Sequence, residues 1–132
     1  MAARSSSQRL GLTPAGYRVL IIDDNAILID ALQDGLRLMG HEVQSSARGT
    51  DALRLMHLLD PHVVVADLIM PEFDIFDAFA QMRKIRPSVK IIAISGNQHL
   101  LTLASKRGAN YVLSKPFDLT RLDMLIKTAM RL

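Results

Sequence analysis

Five polar residues carry the chemistry open to this sequence: Asp23, Asp24, Asp67, Ser95 and Lys115. Each follows directly on a short, mostly apolar run. VLII precedes the acidic pair, VVVA precedes Asp67, VKIIAI precedes Ser95 and YVLS precedes Lys115. Brought to one place, three carboxylates repel one another unless a cation comes between them. A hard divalent ion with oxygen ligands, Mg²⁺ above all, resolves that conflict and leaves coordination positions for phosphate oxygens. A carboxylate can then attack phosphorus and become an aspartyl phosphate. Ser95 and Lys115 supply a hydroxyl and an ammonium for the phosphoryl oxygens on which transition-state charge develops. Taken singly, each piece has a plainer reading. An Asp-Asp pair after a strand commonly caps a helix, a Ser after a strand commonly makes a turn, and a Lys-Pro is commonly just a loop. Their weight lies in occurring together, each at the end of an apolar run.

The elements that must position them alternate regularly. Residues 1–16 are rich in Ser, Arg and small residues, with Pro14 among them, and read as a flexible tail ahead of a domain over 17–132. Val19 to Ile22 forms a strand without alternating polarity, as expected of one buried on both faces. A helix follows whose inner face is Leu28, Ala31, Leu32, Gly35, Leu36 and Met39, ended by Gly40. A short strand over 41–46 leads to a helix capped by Thr50 and running to Asp60-Pro61. A second wholly apolar strand, 62–66, ends at Asp67, and a helix over about 75–86 is closed by Pro87. A third buried run over 89–94, a helix over about 98–107 and a last strand over 111–114 come next. Asp118 caps the final helix, whose face is Leu122, Leu125, Ile126, Ala129 and Leu132. Five strands and five helices in alternation make a doubly wound α/β fold, a parallel sheet covered on both faces. In such sheets the site lies beyond the carboxyl ends of the strands, where all five polar residues fall.

Bulk properties bound the class. At 132 residues there is room for one domain with a sizeable core. No apolar run is long enough to cross a bilayer, and the N-terminus lacks a secretory h-region. Without cysteine there is neither a disulfide framework nor a thiolate metal site, so a cytoplasmic protein is expected. The net charge of +3 comes from scattered Lys and Arg, with no arginine-rich run and no helix-turn-helix signal. No nucleic-acid partner is therefore expected. The four histidines are dispersed without ligand spacing, and the 7 methionines read as core filling.

The motifs VLIIDDN, ADLIMPEFD, AIS and GANYVLSKPFD, with Ala47, Gly49, Ala52 and Leu53 between them, resemble the receiver domain of bacterial response regulators. The resemblance covers Arg18 to the C-terminus. It implies a flavodoxin-like five-stranded sheet in the order 2-1-3-4-5, as in the chemotaxis regulators of that family. It implies phosphorylation of Asp67, with Mg²⁺ bound directly by Asp24, Asp67 and the backbone carbonyl of Ile69, and through water by Asp23. Lys115 would pair with the phosphoryl group, Ser95 would move toward it on activation, and the Lys115-Pro116 bond would be cis. The partners implied are a histidine kinase or histidine phosphotransfer protein and a downstream effector protein, reached by phosphorylation-dependent contact. On the first helix, Ile27 and Leu38 lie off the buried face, as incidental apolars or as a surface for the phosphodonor.

Several positions depart from the family pattern. The aromatic switch usually stands three residues before the lysine, which here is Val112. Tyr111 is one residue earlier and should face the other side of the sheet. Either Val112 replaces the aromatic or the strand slips so that Tyr111 serves; the fixed Gly108-Ala109-Asn110 register favours Val112. Ser95 to Gly108 is about two residues shorter than is common. Ile75 stands where a Gly is usual, and His62 where an Asp is usual. Ile69 is apolar and cannot orient an attacking water, while Gly96 leaves the phosphoryl position open.

The reading expected is a stand-alone phospho-accepting signalling module rather than an enzyme. A longer DNA-binding regulator containing this receiver is the alternative within the family. An aspartyl-nucleophile phosphatase requires a second Asp two residues past the nucleophile to protonate the leaving group, and Ile69 has no proton to give. A nucleotide-binding module requires a Gly-rich loop after the first strand, and none is present.

Overall fold

Alternating strands and helices produce the expected sheet. A computed structural model describes residues 16–131. In chain order the elements are β1 (Arg18–Ile22), α1 (Ala26–Leu38), β2 (Glu42–Ser46), α2 (Gly49–Leu59), β3 (Val63–Asp67), α3 (Ile75–Ile85), β4 (Lys90–Ser95), α4 (Gln98–Lys106), β5 (Tyr111–Ser114) and α5 (Leu119–Ala129). The strands are all parallel and lie in the order β2-β1-β3-β4-β5. Of the proposed tail over residues 1–16, residues 1–15 lie outside the described residues, as does Leu132. Gly16 is described, and it abuts Gly40 so closely that a Cβ there would overlap the Gly40 backbone.

Alternate strand residues feed two cores, because successive side chains point to opposite faces. Leu20, Ile22, Val64, Ala66, Ile91 and Ala93 meet Ala52 and Met56 of α2, Phe79 and Met82 of α3, and Leu101 and Ala104 of α4. Val19, Ile21, Val65, Ile92 and Ile94 meet Ile29, Leu32 and Leu36 of α1 and Leu122 and Ile126 of α5. Burying each large aliphatic side chain contributes about 2 kcal/mol. Four helices open on a side-chain cap: Asn25, Asp74, Asn97 and Asp118 each accept a first-turn backbone N–H. No helix among the described residues is long and apolar enough to cross a membrane.

Two local expectations are corrected. The inner face of α1 is built on Ile29, Leu32 and Leu36, and Ala31 is exposed. Ile29, Leu32 and Leu36 lie three and four residues apart, so they share one stripe, and Ala31 falls off it. Thr50 does not cap α2. The helix begins at Gly49, with Arg48, two residues before Thr50, in the cap position and no side-chain cap bond. The Ser46 hydroxyl accepts the Arg48 N–H at 3.2 Å and so shapes that turn instead.

Candidate functional site

The carboxyl ends of β1, β3, β4 and β5 form one rim. At its centre Asp67, the last residue of β3, is 6% exposed and Asp23, just past β1, is fully buried. Asp24 is exposed at the edge. One oxygen from each of Asp23, Asp24 and Asp67 lies within 4.8 Å of the others. The three carboxylates do converge.

Lys115 reaches back from the end of β5 and bridges the two buried acids. Its Nζ donates to Asp67 Oδ2 at 3.0 Å and to Asp23 Oδ2 at 3.2 Å. The remaining oxygens are held by backbone. Asn25 N–H donates to Asp23 Oδ1 at 2.9 Å, and Ile69 N–H donates to Asp67 Oδ1 at 2.9 Å. Burial pushes the Asp23 carboxyl above the usual carboxylate range, opposed by the Asn25 N–H and the Lys115 charge. Burial also works against the Lys115 ammonium, but its hydrogen bond to Asp67 and the charges of Asp23 and Asp67 outweigh it and raise its pKa. Three carboxylates against one ammonium leave two formal negative charges unbalanced. A divalent cation with a preference for oxygen fits that donor set.

Ser95 ends β4 on the same rim and is buried. Its Oγ accepts the Asn97 N–H at 3.0 Å, so the hydroxyl is engaged with the following loop. Lys115 N–H donates to the Ser95 carbonyl at 3.0 Å, which ties the ends of β4 and β5 together. The Lys115-Pro116 bond is cis, as expected. A Cβ on Gly96 would meet nothing within 4 Å, so that side of the rim is open. Ile69 stands 59% exposed beside the acceptor.

The register at β5 fixes which face each of its residues presents. Ala93 pairs with Val112 and Ser95 with Ser114. Val112 packs on the core beneath α2, α3 and α4, and Tyr111 packs on the opposite core. The strand has not slipped, so Val112, three residues before Lys115, faces the core beneath α2, α3 and α4.

Some of the site's supports had no signal in the sequence. Asn97 holds both Ser95 and the first turn of α4, accepting the Leu100 N–H at 3.1 Å. Asn-Gln after Ser-Gly is a recognisable helix start, but the tie to Ser95 needs coordinates. The β3–α3 loop carries Glu72 at φ 54, and Phe73 turns inward onto Gly49.

Comparison with known proteins agrees with this geometry. The chain matches the response regulator receiver domain over residues 19–127. It is 38% identical to the chemotaxis protein CheY of Thermotoga maritima over 110 residues, 81% of this chain and 92% of that one. It is 32% identical to the DNA-binding transcriptional regulator NtrC of Rhizobium meliloti over 117 residues, 87% of this chain but only 24% of that one. Among solved structures, a response regulator receiver domain protein from Clostridium thermocellum superposes with a TM-score of 0.78 at 29% identity. That superposition covers 86% of this chain and 93% of the other.

Proposed function

Since the chain belongs to the response regulator receiver family, we propose that Asp67 accepts a phosphoryl group from the phosphohistidine of a kinase or phosphotransfer protein. The observation that carries this reading is Lys115, held between Asp67 and Asp23 at the mouth of a three-carboxylate cluster. An Asp67 oxygen forms the bond to phosphorus while the bond to the donor imidazole nitrogen breaks, and that nitrogen keeps the electron pair. Asp24, Asp67 and the Ile69 carbonyl would hold Mg²⁺ directly, with Asp23 acting through water. The bound ion supplies charge neutralisation for the incoming phosphoryl oxygens. Lys115 swings its ammonium from the carboxylates to a phosphoryl oxygen, and Ser95 turns its hydroxyl from Asn97 to another. Ile69 presents no group that could orient a water, which favours a long-lived phosphoaspartate.

The output is a phosphorylation-dependent contact with an effector protein. The chain spans about a quarter of the NtrC regulators it matches, and the same acceptor chemistry serves a receiver segment of such a DNA-binding protein.

Intact mass after incubation with acetyl phosphate and Mg²⁺ tests the acceptor. The wild-type chain gains one phosphoryl group, Asp67→Asn gains none because an amide is not a nucleophile, and Asp24→Ala gains far less. An unchanged adduct on Asp67→Asn sinks the assignment.

A further inference from the structure

Gly49 opens α2 and is buried, and a Cβ built on it would overlap the Phe73 ring at its Cγ and both Cδ atoms. Those atoms sit at the root of the ring, so no spin about the ring axis relieves the overlap. Phe73 and Gly49 are matched in shape, as interiors packed to crystal density require. Phe73 belongs to the loop joining β3 to α3. That loop carries Ile69, whose N–H bonds Asp67, and it ends with Asp74, which caps α3 through the Phe76 and Asp77 N–H groups. Between these ends Pro71 and Glu72 are exposed, and Glu72 holds the left-handed conformation at φ 54. For a residue with a Cβ that conformation costs about 1 kcal/mol, so packing nearby must hold it. Phe73 is the large apolar side chain next to it, and it packs on the core beneath α2 and α3.

We infer that Phe73, seated on Gly49, is a positioning residue that holds the β3–α3 loop so that Ile69 stays engaged with Asp67 and the divalent ion. The inference rests on the reading of the acidic cluster as a Mg²⁺ site. Neither Phe73 nor Gly49 has a side-chain oxygen or nitrogen to offer an ion or a phosphoryl group. They act through Ile69, as supports of a ligand commonly do.

The test is a Mg²⁺ titration of the full chain followed by amide chemical shifts, with melting temperature measured in parallel. Phe73→Ala and Gly49→Ala should each weaken Mg²⁺ binding about tenfold, the scale on which supporting residues act. In the Phe73→Ala background Gly49→Ala should cost nothing further, because the added methyl then meets no ring. Phe73→Leu should recover most of the affinity. A purely structural role would lower the melting temperature and leave the affinity of the folded protein unchanged. Wild-type Mg²⁺ affinity in Phe73→Ala, or additive losses in the double variant, overturns the inference. If Gly49→Ala does not fold, the contrast between Phe73→Ala and Phe73→Leu decides alone. A wild-type chain whose Asp23, Asp24 and Asp67 amides ignore Mg²⁺ overturns the Mg²⁺ reading itself, a different failure.

Discussion

His62 precedes β3 and its Nδ1 accepts the Arg18 N–H at 3.0 Å. On the other side of β1, His41 Nδ1 accepts the Tyr17 N–H at 3.0 Å. The Tyr17 ring lies between them, stacked on His41 and edge-on to His62. An accepting Nδ1 carries no proton. Burial, with Arg18 and Arg86 adding to it, lowers the His62 pKa to about 4 from 6.5. The unfolded chain therefore takes up its proton first as pH falls. The stability tied to neutral His62 is full above pH 6.5 and is lost between there and about 4. His62→Asn keeps an acceptor oxygen in place of Nδ1 and removes the titration. Urea melts at pH 7 and pH 5 should show the wild type losing about 2 kcal/mol more than this variant. Asp23 and Asp123 titrate in both proteins and cancel from the comparison. Equal losses would show that His62 does not carry the dependence. None of this was legible in the sequence. Four dispersed histidines gave no ligand spacing, and residues 17, 41 and 62 meet only because β2 and β3 flank β1. The site residues were legible because each closes an apolar run, a signal that needs no tertiary information.

At the scale of elements, α4 is held differently at its two ends. The first turn of α4 hangs on Asn97, which hangs on the Ser95 hydroxyl, and that turn holds no acidic residue to support it. The far end is fixed. Arg83 donates to the Gly108 carbonyl and to Asn110 Oδ1, and Asn110 exchanges hydrogen bonds with the Ile91 backbone at 2.8 Å each way. Gly108 holds φ 114, open to glycine at no cost. Val112, just beyond, is β-branched and has few rotamers. Were Ser95 to turn to a phosphoryl oxygen, as proposed, the end of α4 nearest Asn97 would therefore be the part free to shift. Beryllofluoride should perturb amides 95–101 strongly and 108–112 weakly, with little rotamer change in the Val112 methyl spectrum. A large reorientation of Tyr111 would contradict this route. The strands and the starts of α3, α4 and α5 were readable from apolar runs and, for α5, from its Asp118 cap. The start of α2 was not, because Thr50 has the chemistry of a cap while the turn is shaped by Ser46, whose hydroxyl accepts the Arg48 N–H.

Across the whole molecule the five helices run antiparallel to the strands, so their N-termini gather at the acidic rim and their C-termini at the other end. Each last turn carries a basic residue: Arg37, His57, Lys84, Lys106 and Lys127. Acid near helix N-termini and base near C-termini both complement the macrodipoles. That arrangement eases the burial of Asp23 and Asp67, yet one Lys115 cannot balance three carboxylates. Removing the exposed member of the cluster should then help the metal-free protein and harm the metal-bound one. In EDTA, Asp24→Ala should melt at or above the wild-type temperature, since like-charge repulsion is relieved. A ligand that binds only the folded state at a hundred times its Kd adds about 2.7 kcal/mol. Mg²⁺ at that level should raise the wild-type melting temperature by about 10 °C for a domain of this size. Asp24→Ala should gain almost nothing, so the order of the two proteins reverses on adding Mg²⁺. Sodium chloride at matched ionic strength controls for screening and should move both alike. An equal Mg²⁺ increment in both proteins would place the ion elsewhere on the surface and remove the acidic rim from the chemistry.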